Sequence, residues 1–208
     1  MIALIDYGAG NLHSVVNALA FIGCPDITIT GDPDILASAG AAILPGVGSF
    51  GHAMDCLNQS GLVQPVKDFI ASGKPFLGIC LGLQMLFEKS EESPGVPGLG
   101  IFEGEICRIP DEFDCKIPHM GWNSLSVKPD TALFDGLEAD PYVYFVHSYY
   151  LKAKDRSIVS AQTFYSVQID AAIESKNVFA AQFHPEKSGD IGLQMLRNFV
   201  ARVPAPAV

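Results

Sequence analysis

Apolar positions in the first half of the chain fall in short blocks separated by stretches of helical periodicity. Ile2 to Asp6 is an apolar run that ends in the turn Tyr7-Gly8-Ala9-Gly10-Asn11. Beyond it Leu12, Val15, Val16 and Leu19 recur at the spacing of one helix face, which predicts a helix stopped at Gly23. Ile27 to Thr30, Ala41 to Leu44 and Phe76 to Ile79 are further strand candidates, each entered or left through Gly or Pro. Helices near Gly51 to Asn58 and Val63 to Ser72 fit between them. Strands alternating with helices predict parallel βαβ units in one sheet covered on both faces, an α/β fold.

After a Gly- and Pro-bearing loop from Ser90 to Gly100, the pattern changes to short strands at hairpin-like spacing. The clearest is Ser166 to Glu174, where Val167, Ile169, Ala171 and Ile173 alternate with Gln168, Asp170, Ala172 and Glu174. A further strand is expected over Val178 to Phe183. A last helix is predicted over about Gly189 to Arg202, with Ser188 as its N-cap and Asp190 in its first turn. Arg197 and Arg202 would lie toward its negative end. No repeat or linker interrupts the pattern, so one domain is expected over residues 1–203, followed by a short frayed tail, 204–208.

Composition then excludes several classes of function. With 208 residues and 49% hydrophobic content the chain has the means for a sizeable core, which rules out disorder. A formal charge of −10 argues against a nucleic-acid or anionic-membrane surface. The longest greasy stretch, Pro75 to Phe87, is broken by Gly78, Gly82 and Gln84 and falls short of the roughly 20 apolar residues of a span. The start, Met1 to Asp6, has no positive n-region, so no signal peptide is expected. Five cysteines, an odd number without a CxxC pair, predict neither a disulfide framework nor a zinc site and suit a reducing cytoplasm.

Two motifs carry candidate chemistry. Gly78-Ile79-Cys80-Leu81-Gly82 has the G-x-nucleophile-x-G form of a nucleophile elbow, with cysteine in the serine's place. A thiol there would sit at a helix N-terminus, where free N–H groups favour thiolate, and the Leu81 N–H would face a developing oxyanion. Phe183-His184-Pro185-Glu186 supplies the base that such a nucleophile needs. Residues two apart in extended chain point the same way, so Glu186 can fix the His184 imidazole. Either motif alone also reads blandly, as a buried cysteine between packing glycines or a surface His-Pro turn. Together they predict a Cys-His-Glu hydrolytic triad.

The remaining features are less specific. Gly8-Ala9-Gly10 lacks the third glycine of a dinucleotide fingerprint, His13 standing in its place, so a tight strand–helix turn exposing Asn11 is the better account. Pro45-Gly46-Val47-Gly48 follows a strand and is a plain glycine turn, or a second oxyanion donor if it borders the elbow. His147 fits a pocket lining and a hydrogen-bonded core position equally well, while His13 and His52 read as surface. Trp122 has packing as its default role, though aromatic anchors are also favoured at interfaces. No spacing suggests a metal.

Cys80 in GICLG with Gln84 after it, and His184-Pro185-Glu186 downstream, resemble the class I (triad) glutamine amidotransferases. The blocks Asp6 to Asn11, Leu44 to Gly48, Pro118 to Asn123, Tyr144 to Tyr149 and Gln182 to Ser188 narrow the likeness to the glutaminase subunits of imidazole glycerol phosphate synthase. Departures are minor: Leu83 stands where those proteins often have Met, and Ser166 and Ala180 where they often have Gly. The resemblance implies a flavodoxin-like three-layer sandwich with a mixed, largely parallel sheet. It implies that Cys80 attacks the glutamine side-chain amide, that His184 serves as acid and then base, and that Glu186 orients it. Leu81 and either Val47 or Gly48 would form the oxyanion hole, after a change of peptide orientation in the PGVG strand. Gln84, Gly48, His147, Ser148 and Tyr149 would hold the substrate. No cofactor is implied. The implied partner is a separate (β/α)8 cyclase subunit in a cytoplasmic heterodimer, faced by Asn11, Trp122, Tyr144 and Lys187. A paralogous glutaminase that feeds a sugar-amidating enzyme is the alternative this resemblance leaves open.

Overall fold

The computed structural model describes residues 1–24, 26–112 and 115–203, so the expected tail lies outside the described residues. The first half is β1 (Ile2–Ile5), α1 (Leu12–Phe21), β2 (Ile27–Thr30), α2 (Pro33–Ser38), β3 (Ala41–Gly46), α3 (Phe50–Gln59), α4 (Val63–Ala71), β4 (Phe76–Cys80) and α5 (Leu81–Met85). Then come β5 (Lys89–Ser90), β6 (Gly104–Arg108), β7 (His119–Ser124), β8 (Ser126–Val127), β9 (Tyr142–His147) and β10 (Tyr149–Ala153). The chain closes with β11 (Val159–Tyr165), β12 (Val167–Ser175), β13 (Val178–Ala181) and α6 (Gly189–Val200).

An 11-stranded sheet runs in the order β2-β1-β3-β4-β13-β12-β10-β6-β5, with β11 paired to β12 and β8. The pairs from β2 through β13 are parallel, in the strand order of flavodoxin-like folds. From β12 to β6 the pairing is antiparallel. The parallel half is what the alternating pattern predicts, and the mixed sheet as a whole is what the resemblance implies. Strand alternation divides the core into its two faces. Ala3 and Ile5 pack with Leu36, Phe50, Phe69 and Phe76 on one face. Ile2 and Leu4 pack with Leu19, Phe179, Phe183 and Phe199 on the other. A separate two-stranded ribbon, β7–β9, lies against the second face, its Phe145 packed edge-on to Phe183.

Local differences from the sequence pattern have identifiable causes. α2 was not anticipated, yet its start is chemically marked: Asp32 accepts from the N–H groups of Asp34 and Ile35, and Pro33 occupies the first turn. Ser188 occupies the N-cap position of α6 without capping it. Its hydroxyl instead donates to the His184 carbonyl at 2.7 Å and accepts from Tyr144 N–H at 3.0 Å. Arg202 lies beyond the end of α6, leaving Arg197 as the basic residue of its last turn. Ser166 precedes β12 rather than opening it, at φ 63°, a left-handed conformation that glycine takes at no cost. Its hydroxyl donates to the Pro110 carbonyl at 2.9 Å, which offsets part of the strain.

Candidate active site

The site forms at the carboxyl ends of β3, β4 and β13, where ligands gather in open parallel sheets. Cys80 ends β4 with φ 56° and ψ −109°, a strained corner between strand and helix. Two close approaches make that corner possible. A Cβ on Gly82 would stand 1.9 Å from the Leu44 carbonyl oxygen, and one on Gly78 would stand 2.8 Å from the Gly82 carbonyl oxygen. Leu81 opens α5, whose first N–H groups have no intrahelical partner.

β13 pairs with β4 in parallel, Ala181 opposite Ile79, so the segment after β13 rises beside the elbow. His184 lies there, 2% exposed, its Nδ1 bonded to Glu186 Oε1 at 2.7 Å. Its Nε2 is buried and unpartnered, as is Glu186 Oε2. Burial alone would depress the imidazole. The Cys80 sulfur and the Glu186 carboxylate together outweigh it and hold His184 at about 9, so the ring is protonated near neutral pH.

A cavity of about 310 Å³ opens over these groups, lined by Val47, Gly48, Leu81, Gln84, Ser148, Tyr149 and Lys187 among others. Every residue expected to touch substrate or oxyanion therefore borders one space with Cys80 and His184. Val47 is 39% exposed and Gly48 adopts φ 93°. The strand before them is fixed: buried Tyr7 donates from its hydroxyl to the Pro45 carbonyl at 3.0 Å.

His147 does both things the sequence left open. It lines the cavity and is hydrogen-bonded, its Nδ1 donating to the Tyr149 carbonyl at 2.9 Å. Its Nε2 must then accept from His119 Nδ1 at 3.0 Å, and His119 Nε2 accept from Asn123 at 3.4 Å. That chain requires both rings neutral. Burial agrees, lowering His119 to about 4 and His147 to about 3.

The sequence reading missed three contributors. Glu92 lines the cavity and accepts from Phe50 N–H at 2.7 Å, tying the Ser90 to Gly100 loop to the start of α3. His119 reaches the site only through the β7–β9 pairing that sets it opposite His147. Gln182 is fully buried two residues before His184, where the alternation of β13 carried forward would have pointed to it. Glu186, by contrast, reaches His184 not along extended chain, as the spacing suggested, but from a 3-10 turn over Pro185–Lys187 that folds its carboxylate back onto Nδ1.

The four candidate interface residues lie on the ribbon, at the cavity rim and at the start of α1. Trp122 and Tyr144 are register partners in the ribbon, their rings edge-to-face at 6.1 Å, and Trp122 is 56% exposed. The Tyr144 carbonyl accepts from His184 N–H at 3.0 Å. Lys187 is exposed and borders the cavity. Asn11 is exposed at the start of α1, where it also accepts from Ser14 N–H at 3.4 Å. Among the described residues no group of three or more His, Cys, Asp or Glu could hold a metal ion.

Fold and site geometry agree with the class I glutamine amidotransferases. A model of the family Glutamine amidotransferase class-I matches residues 3–203, and the chain belongs to that family. Among solved structures, a glutamine amidotransferase crystal structure aligns with TM-score 0.77 at 19% identity, covering 98% of this chain and 99% of the other. PurLQS from Thermotoga maritima aligns with TM-score 0.74 at 22% identity, covering 98% of each chain. These two likenesses speak for the fold alone. Curated relatives are nearer. The imidazole glycerol phosphate synthase subunit HisH of Methanothermobacter thermautotrophicus is 54% identical over 205 residues, 99% of this chain and 100% of its own. The HisH subunits of Nostoc punctiforme (52% over 206 residues, 98% of this chain and 96% of that one) and Bacillus cereus (49% over 205 residues, 99% and 96%) follow. Within the class, the chain is a member of the HisH subunit family.

Proposed function

We propose that this chain hydrolyses L-glutamine to glutamate and ammonia as the glutaminase subunit of imidazole glycerol phosphate synthase. The ammonia would pass to a separate cyclase subunit in histidine biosynthesis, in the cytoplasm. The observation that carries the reading is a cysteine elbow beside a His184–Glu186 pair whose Nε2 is left free toward the nucleophile. Among the described residues no helix is long and apolar enough to cross a membrane.

In this reading the Cys80 sulfur adds to the side-chain carbonyl carbon of glutamine. The oxyanion takes the Leu81 N–H and, after a peptide of the Val47–Gly48 segment reorients, a second amide. His184 gives its Nε2 proton to the nitrogen, the C–N bond breaks, ammonia leaves and a glutamyl thioester remains. Forming the thioester consumes the thiolate, one of the two groups that raise His184. The imidazole, its Nε2 proton now gone with the ammonia, is then no longer held protonated by that charge and stays neutral, free to take a proton from the water that releases glutamate. Glu186 holds the ring through both halves.

Substrate contacts follow from the lining. Both amide protons of Gln84 are committed, to the Tyr149 carbonyl at 3.0 Å and to Gln182 Oε1 at 2.9 Å, so its carbonyl oxygen is what it can offer glutamine. Glu92, the one carboxylate along the lining, suits the substrate's α-ammonium. Gly48, His147, Ser148 and Tyr149 complete the amino-acid end. Asn11, Trp122, Tyr144 and Lys187 face the cyclase, with Tyr144 bonded to the backbone of His184 itself.

The test is glutamine hydrolysis by the chain alone, then with a cyclase subunit and its ribulotide ligand. A large rise in the complex is expected, and Cys80→Ser should abolish glutamine use while synthesis from added ammonium survives. Activity indifferent to that cyclase would move the chain to a paralogue serving another ammonia acceptor. Glutamine use retained by Cys80→Ser would overturn the nucleophile.

A further inference from the structure

The proposed chemistry leaves one buried polar side chain at the nucleophile without a role. Gln182 is 0% exposed, and its amide spans from Gln84 to Cys80. The orientation of that amide is determined. Gln84 spends one N–H on the Tyr149 carbonyl and the other on Gln182, so the Gln182 atom facing it must be the oxygen. The Gln182 NH₂ group is then the end that faces the Cys80 sulfur, at 3.7 Å. A buried N–H aimed at sulfur favours thiolate over thiol, because the bond to an ionised acceptor is the stronger one. His184 and Glu186 are the ionisable groups of the triad around that sulfur, and the Tyr7 hydroxyl is buried nearby.

We propose that Gln182 is a catalytic hydrogen-bond donor to the Cys80 thiolate, and that its other end locks Gln84 in the orientation that binds glutamine. The inference deepens the glutaminase reading and rests on it for the substrate half only. The donor's work precedes bond formation. Once sulfur has added to the carbonyl carbon the negative charge resides on the oxyanion, and the bond from Gln182 weakens to that of a neutral thioether acceptor. One side chain thereby links the readiness of the nucleophile to the shape of the pocket.

The test is the rate of Cys80 alkylation by iodoacetamide across pH 5 to 10, on the free chain, with the other four cysteines distinguished by peptide mass. Gln182→Met keeps the shape and removes the donor. About tenfold less thiolate is expected where the thiol is mostly protonated. A less stabilised thiolate is also the better nucleophile, with a Brønsted slope of about 0.4–0.5, or roughly threefold here. Alkylation should therefore be about threefold slower at the acid end and about threefold faster at the alkaline end, a crossover that a packing role would not produce. Should Gln182→Met fail to fold, Gln182→Glu decides. It keeps the acceptor for Gln84 and turns a carboxylate oxygen toward sulfur, so a larger loss at the acid end is expected. A profile within about 1.5-fold of wild type at every pH, or one slower by the same factor throughout, would overturn the proposal. The measurement needs neither glutamine nor partner, so it can fail while the glutaminase reading stands. Glutamine turnover in the complex reads the second half: Gln182→Met should raise KM as well as lower kcat, since Gln84 is released.

Discussion

Gly82→Ala tests whether the elbow depends on backbone contact with β3. The new methyl would lie 1.9 Å from the Leu44 carbonyl oxygen, where Cβ contacts essentially never fall below 3.0 Å. The difference is about 1.1 Å, and both sides of the contact are main chain, one in a buried strand and one in the turn carrying Cys80. No side-chain rotation relieves it. Overpacking of this kind costs about 1–3 kcal/mol and sometimes more, and with backbone on both sides we expect about 3 kcal/mol. For a chain of this size that lowers Tm by roughly 6–12 °C. Catalysis should suffer separately, since misplacing reacting groups by about 1 Å costs roughly 100-fold. Gly73→Ala is the control: at φ 80° with open space around it, the variant carries conformational strain alone, about 1–2 kcal/mol, far from the site. Urea unfolding of the three proteins and glutamine hydrolysis in the complex give both quantities. A Gly82→Ala protein within 1 kcal/mol of wild type that keeps a tenth of its activity would refute the reasoning.

Two further outcomes follow from the cavity and its histidines. Glu92→Gln keeps the shape and the bond to Phe50 N–H but removes the charge offered to the α-ammonium. KM for glutamine should rise about tenfold or more with kcat within a few-fold, and steady-state kinetics in the complex showing an unchanged KM would remove Glu92 from the substrate site. His119 and His147 are held at about 4 and about 3, below the unfolded value of about 6.5, so the unfolded chain binds more protons and stability present above that value is lost as pH falls. Between about pH 7.5 and about pH 5 each should cost about 2 kcal/mol. His119→Phe, which preserves the ring stacked on Phe145 and Tyr165, should therefore lose about 2 kcal/mol less over that interval, and parallel urea-unfolding profiles would contradict the neutral pair.

Local chemistry was legible in the sequence, and chemistry that depends on distant pairing was not. The elbow, the His184–Glu186 pair and the parallel βαβ half all express themselves within a few residues, through glycine placement, apolar periodicity and, for the pair, a 3-10 turn where extended chain was expected. α2 carried a signal as local, Asp32 followed by Pro33, but a six-residue helix holds too few apolar positions to show a period. Glu92 and His119 gave no signal at all. One enters the site because a loop ties itself to the start of α3, the other because the ribbon pairs His119 with His147. Gln182 lies between these cases, since alternation from His184 points to it but only the partner Gln84, 98 residues away, shows what its amide is for.

The same distinction bears on how a partner could control the chemistry. Tyr144 is at once a candidate interface residue and the backbone neighbour of the catalytic segment: its carbonyl accepts from His184 N–H, and its N–H donates to the Ser188 hydroxyl, which in turn donates to the His184 carbonyl. Both main-chain groups of His184 are thus fixed, directly or through one hydroxyl, to β9, the strand of Tyr144, which pairs with β7 and its exposed Trp122. A shift of that ribbon on docking would move the imidazole with it, without any side-chain relay. The PGVG segment is differently placed. Tyr7 holds Pro45, while Val47 and Gly48 are exposed beyond that anchor, so reorientation can be confined to the peptides of the oxyanion hole while β3 and the elbow it supports stay fixed. A partner acting on this face can therefore complete the hole, or adjust His184, and leave Cys80 where the Gly82 contact holds it.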